Sequence, residues 1–352
     1  MDSPVAEQAR ALVSLETEMQ AAIHHLDGSA PLLARMVRFH LGWIDPSGAD
    51  TDAETRALVQ GKRIRPLIAQ LCSAAVGGDV EAAAPLAAAI ELLHNFTLIH
   101  DDIQDRSPNR RHRATVWRIW GDAQAINAGD ALFAAAQLSL LNIRGRVRES
   151  AAILALLEAF NRVTIEIVRG QVIDLEFEAR ERVSSSDYLQ MIGAKTAAII
   201  QFAAWSGATV GGASHDIAYH LGEMGMALGM GFQIRDDVLG IWGPESVTGK
   251  AVADDIRRRK KSLPILMLME RASPEEIERL ARLYRSDEVD GIGIETVLTM
   301  LDQHHIESLA NSQVRRYHDA ASNALEAVSS QLEPLPLGSI GSLIQRLDSR
   351  IF

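Results

Sequence analysis

The stretch AAAPLAAAIELLHNFTLIHDDIQD, Ala82 to Asp105, decides the reading of the chain. From Ala82 to Ile99 apolar residues recur at helical spacing, rich in Ala and Leu and poor in the β-branched alternation of a strand, so the segment reads as a buried helix. Its last turns change character. Asp101 and Asp105 are four apart and His94 is seven before Asp101, so all three project from nearly one face, while Asp102 is turned about 100° away. Two stacked carboxylates at the end of an apolar helix repel each other and are costly to desolvate unless a cation joins them. Oxygen ligands of this kind suit Mg²⁺, which takes one or two carboxylates together with phosphate oxygens. A solvated helix end would explain the acids equally well, since DDxxD alone is a weak signal.

The same periodicity continues outward over Leu12 to Leu26, Pro66 to Val76, Ala128 to Ile143, Ala151 to Val168, Tyr188 to Ala204, Ile217 to Ile234, Leu263 to Met269, Ile277 to Tyr284 and Ile306 to Val328. The fold class is therefore all-α. No Ser/Gly/Pro-rich spacer interrupts the pattern, so residues 1–352 are expected to form a single domain, one large helical bundle around a central cavity with inward-facing site residues. Pro66 suits a first helical position and Gly77-Gly78 a stop. In Ser273-Pro274-Glu275-Glu276 the serine can cap, the proline can open the helix and Glu276 can close a capping box.

Of 352 residues, 46 are acidic and 35 basic, a net charge of −11, the wrong sign for a dedicated nucleic-acid binder. The one cysteine, Cys72, has no partner for a disulfide and no thiolate cluster for zinc or iron–sulfur. The greasiest region, Thr196 to Ala213, is broken by Gln201, Ser206 and Thr209, so no stable membrane insertion is expected. Without a basic start and apolar core at the N-terminus, a cytoplasmic location is expected.

A second acidic pair sharpens the first. Gln233-Ile234-Arg235-Asp236-Asp237-Val238-Leu239-Gly240 again ends a long apolar helix, and positive charge follows each pair: Arg106, Arg110, Arg111 and Arg113 after the first, Lys250 and Arg257 to Lys261 after the second. A third knot, Gly61-Lys62-Arg63-Ile64-Arg65-Pro66, precedes a helix whose first amides favour an anion. Carboxylate pairs for Mg²⁺ alternating with Arg and Lys are what a small polyanionic diphosphate needs. Like-charge runs alone are usually solvated faces.

At these residues the sequence resembles the trans-isoprenyl diphosphate synthases, the polyprenyl synthetase family. The motifs that carry the likeness are GKRIRP (61–66), HNFTLIHDDIQD (94–105), Arg110-Arg111, GQVIDLEFE (170–178), GAKTA (193–197), FQIRDD (232–237) and GKAVADDIRRRKKSLP (249–264). The resemblance implies a homodimeric Mg²⁺-dependent prenyltransferase that joins isopentenyl diphosphate to a dimethylallyl, geranyl or farnesyl diphosphate. It implies that Asp101, Asp105 and Asp236 ligate Mg²⁺, about three ions per site, with Asp102 and Asp237 in support. It assigns Arg110, Lys195, Lys250 and Lys260 to the allylic diphosphate, Thr196 and Gln233 to the neighbourhood of the reacting carbons, and Lys62, Arg65, His94 and Arg111 to the isopentenyl diphosphate. No catalytic histidine or nucleophilic serine is required, because the released diphosphate serves as the base.

Three positions depart from the family pattern: Gly240 replaces an aspartate, Ala114 a proline and Ala253 a glycine. At Gly240 weakened, water-mediated contacts are expected rather than loss of metal. By resemblance the residue five before the first aspartate, Phe96, faces the growing tail with Thr97 beside it, which favours a C20 product with C15 next; packing against a neighbouring helix is the plainer role for Phe96. Arg257 to Lys261 read as a mobile lid over the phosphates. The competing readings are a class I terpene cyclase, disfavoured by the complete acceptor set, and a regulatory subunit, disfavoured by the two intact aspartate pairs.

Overall fold

The computed structural model describes residues 4–28, 30–111, 113–145, 150–180, 182–245, 251–285 and 288–349. The all-α expectation holds. In chain order run α1 (Pro4–His24), α2 (Pro31–His40), α3 (Ala53–Gln60), α4 (Ile64–Ala75), α5 (Ala84–Gln104), a two-residue antiparallel pair β1 (Asn109–Arg110) and β2 (Arg113–Ala114), α6 (Val116–Trp120), α7 (Asp122–Leu141), α8 (Ser150–Ala179), α9 (Ser185–Ile192), α10 (Ala198–Gly211) and α11 (His215–Trp242). Further helices cover Asp254–Arg257, Leu263–Arg271, Pro274–Leu283, Gly291–Gln303, Ile306–Glu326 and Pro334–Ser349. The chain divides into two compact units, one of Met1–Arg162, Phe202–Leu221 and Ser329–Ile340, the other of Val163–Gln201, Gly222–Val328 and Gly341–Phe352. Four of the five divisions fall inside helices, in α8, α10, α11 and Pro334–Ser349.

The first unit is organised around α5. Ala87, Ala88, Ala89, Ile90, Leu92 and Leu93 are all fully buried, so α5 is apolar all round for most of its length, as a core helix must be. It packs chiefly on α7 and also on α1 and α4. Gln70 on α4 is an unexpected buried amide: its Nε2 donates to the Ala11 carbonyl (3.0 Å), the Ser14 hydroxyl (2.9 Å) and the Val80 carbonyl (3.1 Å), which ties α4 to α1. Gly77, in the left-handed region at φ +88°, ends α4 as expected. Pro66 is not at the first helical position but at the third, because α4 begins at Ile64; the first four amides of a helix lack intrahelical acceptors, so a missing N–H costs nothing there either.

In the second unit the core gathers Ile234, Ile241, Leu263, Ile265, Leu266, Val297, Leu301, Ile306 and Val314. Ser273, Pro274 and Glu276 form the anticipated capping box. The segment Tyr188 to Ala204 is not one uniform helix: a single π-helical turn, Gly193–Ala197, separates α9 from α10. Such turns widen the hydrogen-bond ladder locally and re-aim side chains; here the residues re-aimed include Lys195 and Thr196. Glycine at 170 and 229 permits this, since a Cβ at 170 would lie 2.4 Å from the Lys195 nitrogen and one at 229 would lie 2.6 Å from the Ala197 Cα.

Candidate functional site

In the first unit the polar end of α5 meets the hairpin and the start of α4. Asp102 is 2% exposed and is clasped by Arg110, whose Nε donates at 2.9 and 3.1 Å and whose Nη2 lies 2.8 Å from Oδ1. Burial pushes the Asp102 carboxyl up, and Arg110 opposes that. Asp101 is half-buried and Asp105 exposed at the end of the same helix, one turn apart, with the Asp105 amide donating to the Asp101 carbonyl at 2.8 Å. Asp102, expected off the face that Asp101 and Asp105 share, accordingly plays a different part and holds an arginine.

Seven residues before Asp101, His94 lies 3.2 Å from Arg65 through Nε2. Burial first, then the charges of Arg65, Arg111 and Arg110, hold the His94 imidazole neutral, well below its ordinary range. Nε2 therefore accepts from Arg65. Burial and the neighbouring Arg111 lower Arg65 to about 10, against the opposing carboxylate of Glu91, so it stays protonated at neutral pH. Arg111 donates to the Val59 carbonyl at 2.8 Å. Gly61, with φ +73°, lies against its guanidinium: a Cβ there would come within 2.7 Å of Arg111 Cζ. Glycine at 61 thus serves both a left-handed backbone and the seat of an arginine. Lys62 is exposed. Arg63, by contrast, turns inward to Glu16 at 3.1 Å and to the Met19 sulfur, so that one of the three cations in the 61–66 knot is structural.

Phe96 is caught between His100, with ring centroids 4.7 Å apart, and Phe133 of α7, at 5.3 Å. The plainer role, packing against a neighbouring helix, is therefore present. Thr97 spends its hydroxyl on the His94 carbonyl at 2.8 Å.

The second unit carries its own network. Asp237 is fully buried. It receives the Tyr188 hydroxyl at 2.5 Å, the Leu263 amide at 3.2 Å and Gln233 Nε2 at 3.3 Å, and lies 3.6 Å from Lys260 Nζ. Burial pushes its carboxyl up, with Lys260 the largest opposing influence. For Lys260 burial opposes the charge, but Asp237 and Asp255 outweigh it and raise the ammonium. Gln233 Oε1 accepts from Thr196 at 3.1 Å, and Lys195 donates to Asp174 at 2.6 Å. Asp236, next to the buried Asp237, is half-buried.

Gly240 has a local reason. A Cβ there would lie 2.4 Å from Oδ2 of Asp255, so the space a side chain would take holds a carboxylate from the Asp254–Arg257 turn, itself 3.6 Å from Lys260. Ala253 sits at φ +60° and Arg259 at +58°, both left-handed and favouring glycine. In the expected lid, Lys261 donates to the carbonyls of Phe177 (2.6 Å) and Arg180, and Arg258 pairs with Asp254 at 3.0 Å. Lys250 lies outside the described residues.

Several residues were given no role of their own by the sequence reading. Glu91 and Asn95 are both 4% exposed on α5; as lone polar residues four apart in an apolar run, they were legible. Tyr188, Asp174 and Phe133 gave no distinct signal. Among the described residues no three His, Cys, Asp or Glu side chains gather closely enough to hold a metal by themselves. Asp101 with Asp105, one turn apart, offers instead a pair of oxygen donors, which fits an ion that completes its shell with phosphate and water.

The sequence model of the polyprenyl synthetase family matches residues 52–301. The chain is 41% identical over 235 residues to a (2E,6E)-farnesyl diphosphate synthase of Mycobacterium tuberculosis, covering 67% of this chain and 63% of that protein. It is 40% identical over 286 residues to a geranylfarnesyl diphosphate synthase of Aeropyrum pernix, covering 80% and 89% of the two chains. Among solved structures, a polyprenyl synthetase from Streptomyces coelicolor A3(2) superposes with a TM-score of 0.86 at 33% identity, covering 96% of this chain and 98% of the other.

Proposed function

The chain belongs to the polyprenyl synthetase family, and from that membership we propose that it is a Mg²⁺-dependent trans-prenyltransferase that condenses isopentenyl diphosphate with an allylic diphosphate. The observation that carries this is the Arg65–His94–Arg111 cluster, in which a neutral imidazole, two guanidiniums and the glycine that seats one of them form a place for a second phosphate-bearing substrate. A terpene cyclase needs one diphosphate only.

In this reading Lys62, Arg65, His94 and Arg111 bind the isopentenyl diphosphate. Asp101, Asp105 and Asp236 would hold Mg²⁺, and the ion would supply positive charge to neutralise a leaving diphosphate. Arg110, Lys195, Lys250 and Lys260 bind the allylic diphosphate. Arg110 is aimed by Asp102, Lys195 by Asp174, and Lys260 by Asp237 and Asp255, so these cations are set in place before substrate arrives, which is what electrostatic stabilisation of a departing anion requires. Thr196 and Gln233 present oxygen dipoles, fixed by their mutual bond, to the developing allylic cation. An aliphatic lining would be needed to keep water from that cation.

For product length we propose geranylgeranyl diphosphate, with farnesyl diphosphate next; the bulk of Phe96, backed by Phe133, supports a floor at intermediate length. We also propose a homodimer, supported by apolar residues of α7 and α8 that face outward, Ile126 at 44%, Leu138 at 43% and Leu154 at 67% exposure. Light scattering on a sizing column tests this: a mass of two chains is expected, and one chain would refute it. Condensation of labelled isopentenyl diphosphate tests the activity. Hydrocarbon released from geranylgeranyl diphosphate alone would favour the cyclase, and activity that appears only on adding a second protein would favour a regulatory subunit.

A further inference from the structure

Tyr188 is a buried phenol that none of the roles above uses. It is 3% exposed and stands on α9, whose start is fixed by a capping box between Ser184 and Asp187. Its hydroxyl donates to Asp237 Oδ2 at 2.5 Å, and the Leu263 amide donates to the same oxygen at 3.2 Å. Burial, then the charge of Asp237, push the phenol well up, so it stays a donor. With Oδ2 held by these two groups, Oδ1 is turned toward Gln233 Nε2 at 3.3 Å and Lys260 Nζ at 3.6 Å.

The chemistry of the groups then fixes the direction of every bond in the chain. An ionised carboxylate, here matched by Lys260, only accepts, so Gln233 must face Asp237 with its amide nitrogen. That leaves the amide oxygen toward Thr196, 3.1 Å away. A carboxamide oxygen also only accepts, so the Thr196 hydroxyl gives its proton to Gln233. On its other side the Thr196 oxygen has lone pairs and no proton to present. Lone pairs attract a developing carbocation, whereas a hydroxyl proton aimed at it repels it. A rotated Asp237 would free the Gln233 amide to flip, and Thr196 could then point its proton either way. The circuit joins two elements twice: Gln233 and Asp237 lie one turn apart on α11, and Thr196 in the π-helical turn and Tyr188 on α9 close its ends.

We propose that Tyr188 is a positioning residue for the condensation: by holding Asp237 it sets the Gln233 amide so that Thr196 turns oxygen lone pairs, and not a proton, toward the reacting carbons. This rests on the prenyltransferase reading. No proton is transferred, and the phenol acts through Asp237 and not on substrate.

Single-turnover condensation of an allylic diphosphate with isopentenyl diphosphate reads the chemical step. Tyr188→Phe removes one oxygen and keeps the ring; it should slow that step about tenfold, the scale of one hydrogen bond to a charged group, with KM for isopentenyl diphosphate unchanged. Thr196→Val should slow it at least as much, and the two together no further, because both break the same chain. Losses that multiply, or a wild-type rate in Tyr188→Phe, would overturn the proposal. A crystal structure of Tyr188→Phe reads the seating without turnover: the Asp237 carboxylate should rotate off the Leu263 amide and the Thr196–Gln233 pair should part, and both contacts unmoved would overturn it. Should Tyr188→Phe not fold, Asp237→Asn serves. There Tyr188 and Leu263 keep the amide oxygen, the NH₂ must face Gln233, and the chain reverses; a wild-type rate in Asp237→Asn would overturn the proposal. A wild type that condenses nothing removes the prenyltransferase reading, whereas an active wild type with an unimpaired Tyr188→Phe removes only this role.

Discussion

Asp236 and Asp237 are adjacent in sequence and opposite in circumstance. Asp237 is fully buried and gathers Tyr188, Leu263 and Lys260, whereas Asp236 is half-buried beside it. Replacing Asp237 by Ala strands a phenol, an amide and an ammonium, a loss of about 3 kcal/mol or more, so its melting temperature should fall by several degrees. Asp236→Ala should leave melting unchanged and abolish turnover; equal melting losses in the two variants would refute the division of labour. Asp101→Ala, at a helix end, is likewise expected to be inactive at any Mg²⁺ concentration yet folded by circular dichroism. The histidines give a pH signature. His40 and His94 are both held below the ordinary imidazole range by burial and by arginines. In that range the unfolded chain binds more protons than the folded one, so their contribution is complete above about 6.5 and is lost as pH falls toward 3. Melting temperature should drop between pH 7 and pH 5, and His40→Gln should flatten the drop; a profile as steep as wild type would show that His40 takes no part.

The elements explain which features were legible. Long helices such as α5 and α11 could be placed because their apolar periodicity runs unbroken and their acidic pairs stand out against it. Others were missed. Ala53–Gln60 and Gly291–Gln303 are each opened by an aspartate cap, with Asp52 accepting from the Thr55 amide at 2.7 Å and Asp290 from the Gly293 amide at 2.8 Å, a signal present in the sequence; Gly291–Gln303 also carries a buried stripe of Ile294, Val297, Met300 and Leu301. The π-helical turn at Gly193–Ala197 had no periodic signature at all, since one extra residue per turn disappears within a window of a dozen. The site was legible where charge repeats and illegible where a single residue reaches across from another element, as Tyr188 does to Asp237. The departures also become interpretable at this scale. Ala253→Gly should stabilise the protein by up to about 1 kcal/mol by relieving a left-handed alanine, read as a rise in the urea midpoint. Gly240→Asp should lower that midpoint, because the new carboxylate must displace Asp255; an unchanged midpoint would show that the 254–257 turn gives way freely.

For the whole molecule, a net charge of −11 argues against a nucleic acid but conceals local cationic clusters. Among the described residues no helix is long and apolar enough to cross a membrane. Because the two compact units divide inside continuous helices, the proposal of one catalytic domain predicts a single calorimetric unfolding transition; two separable transitions would contradict it. Product length belongs to this scale too. Phe96→Ala, and more strongly Phe96→Ala with Phe133→Ala, should lengthen the products, and an unchanged profile would remove the floor. The most direct test of the central claim is product analysis with labelled isopentenyl diphosphate, Mg²⁺ and the dimethylallyl, geranyl and farnesyl primers in turn. The account predicts label in prenyl diphosphates, mainly geranylgeranyl diphosphate, and none with Asp101→Ala; failure of the wild type to incorporate label with any primer would contradict it.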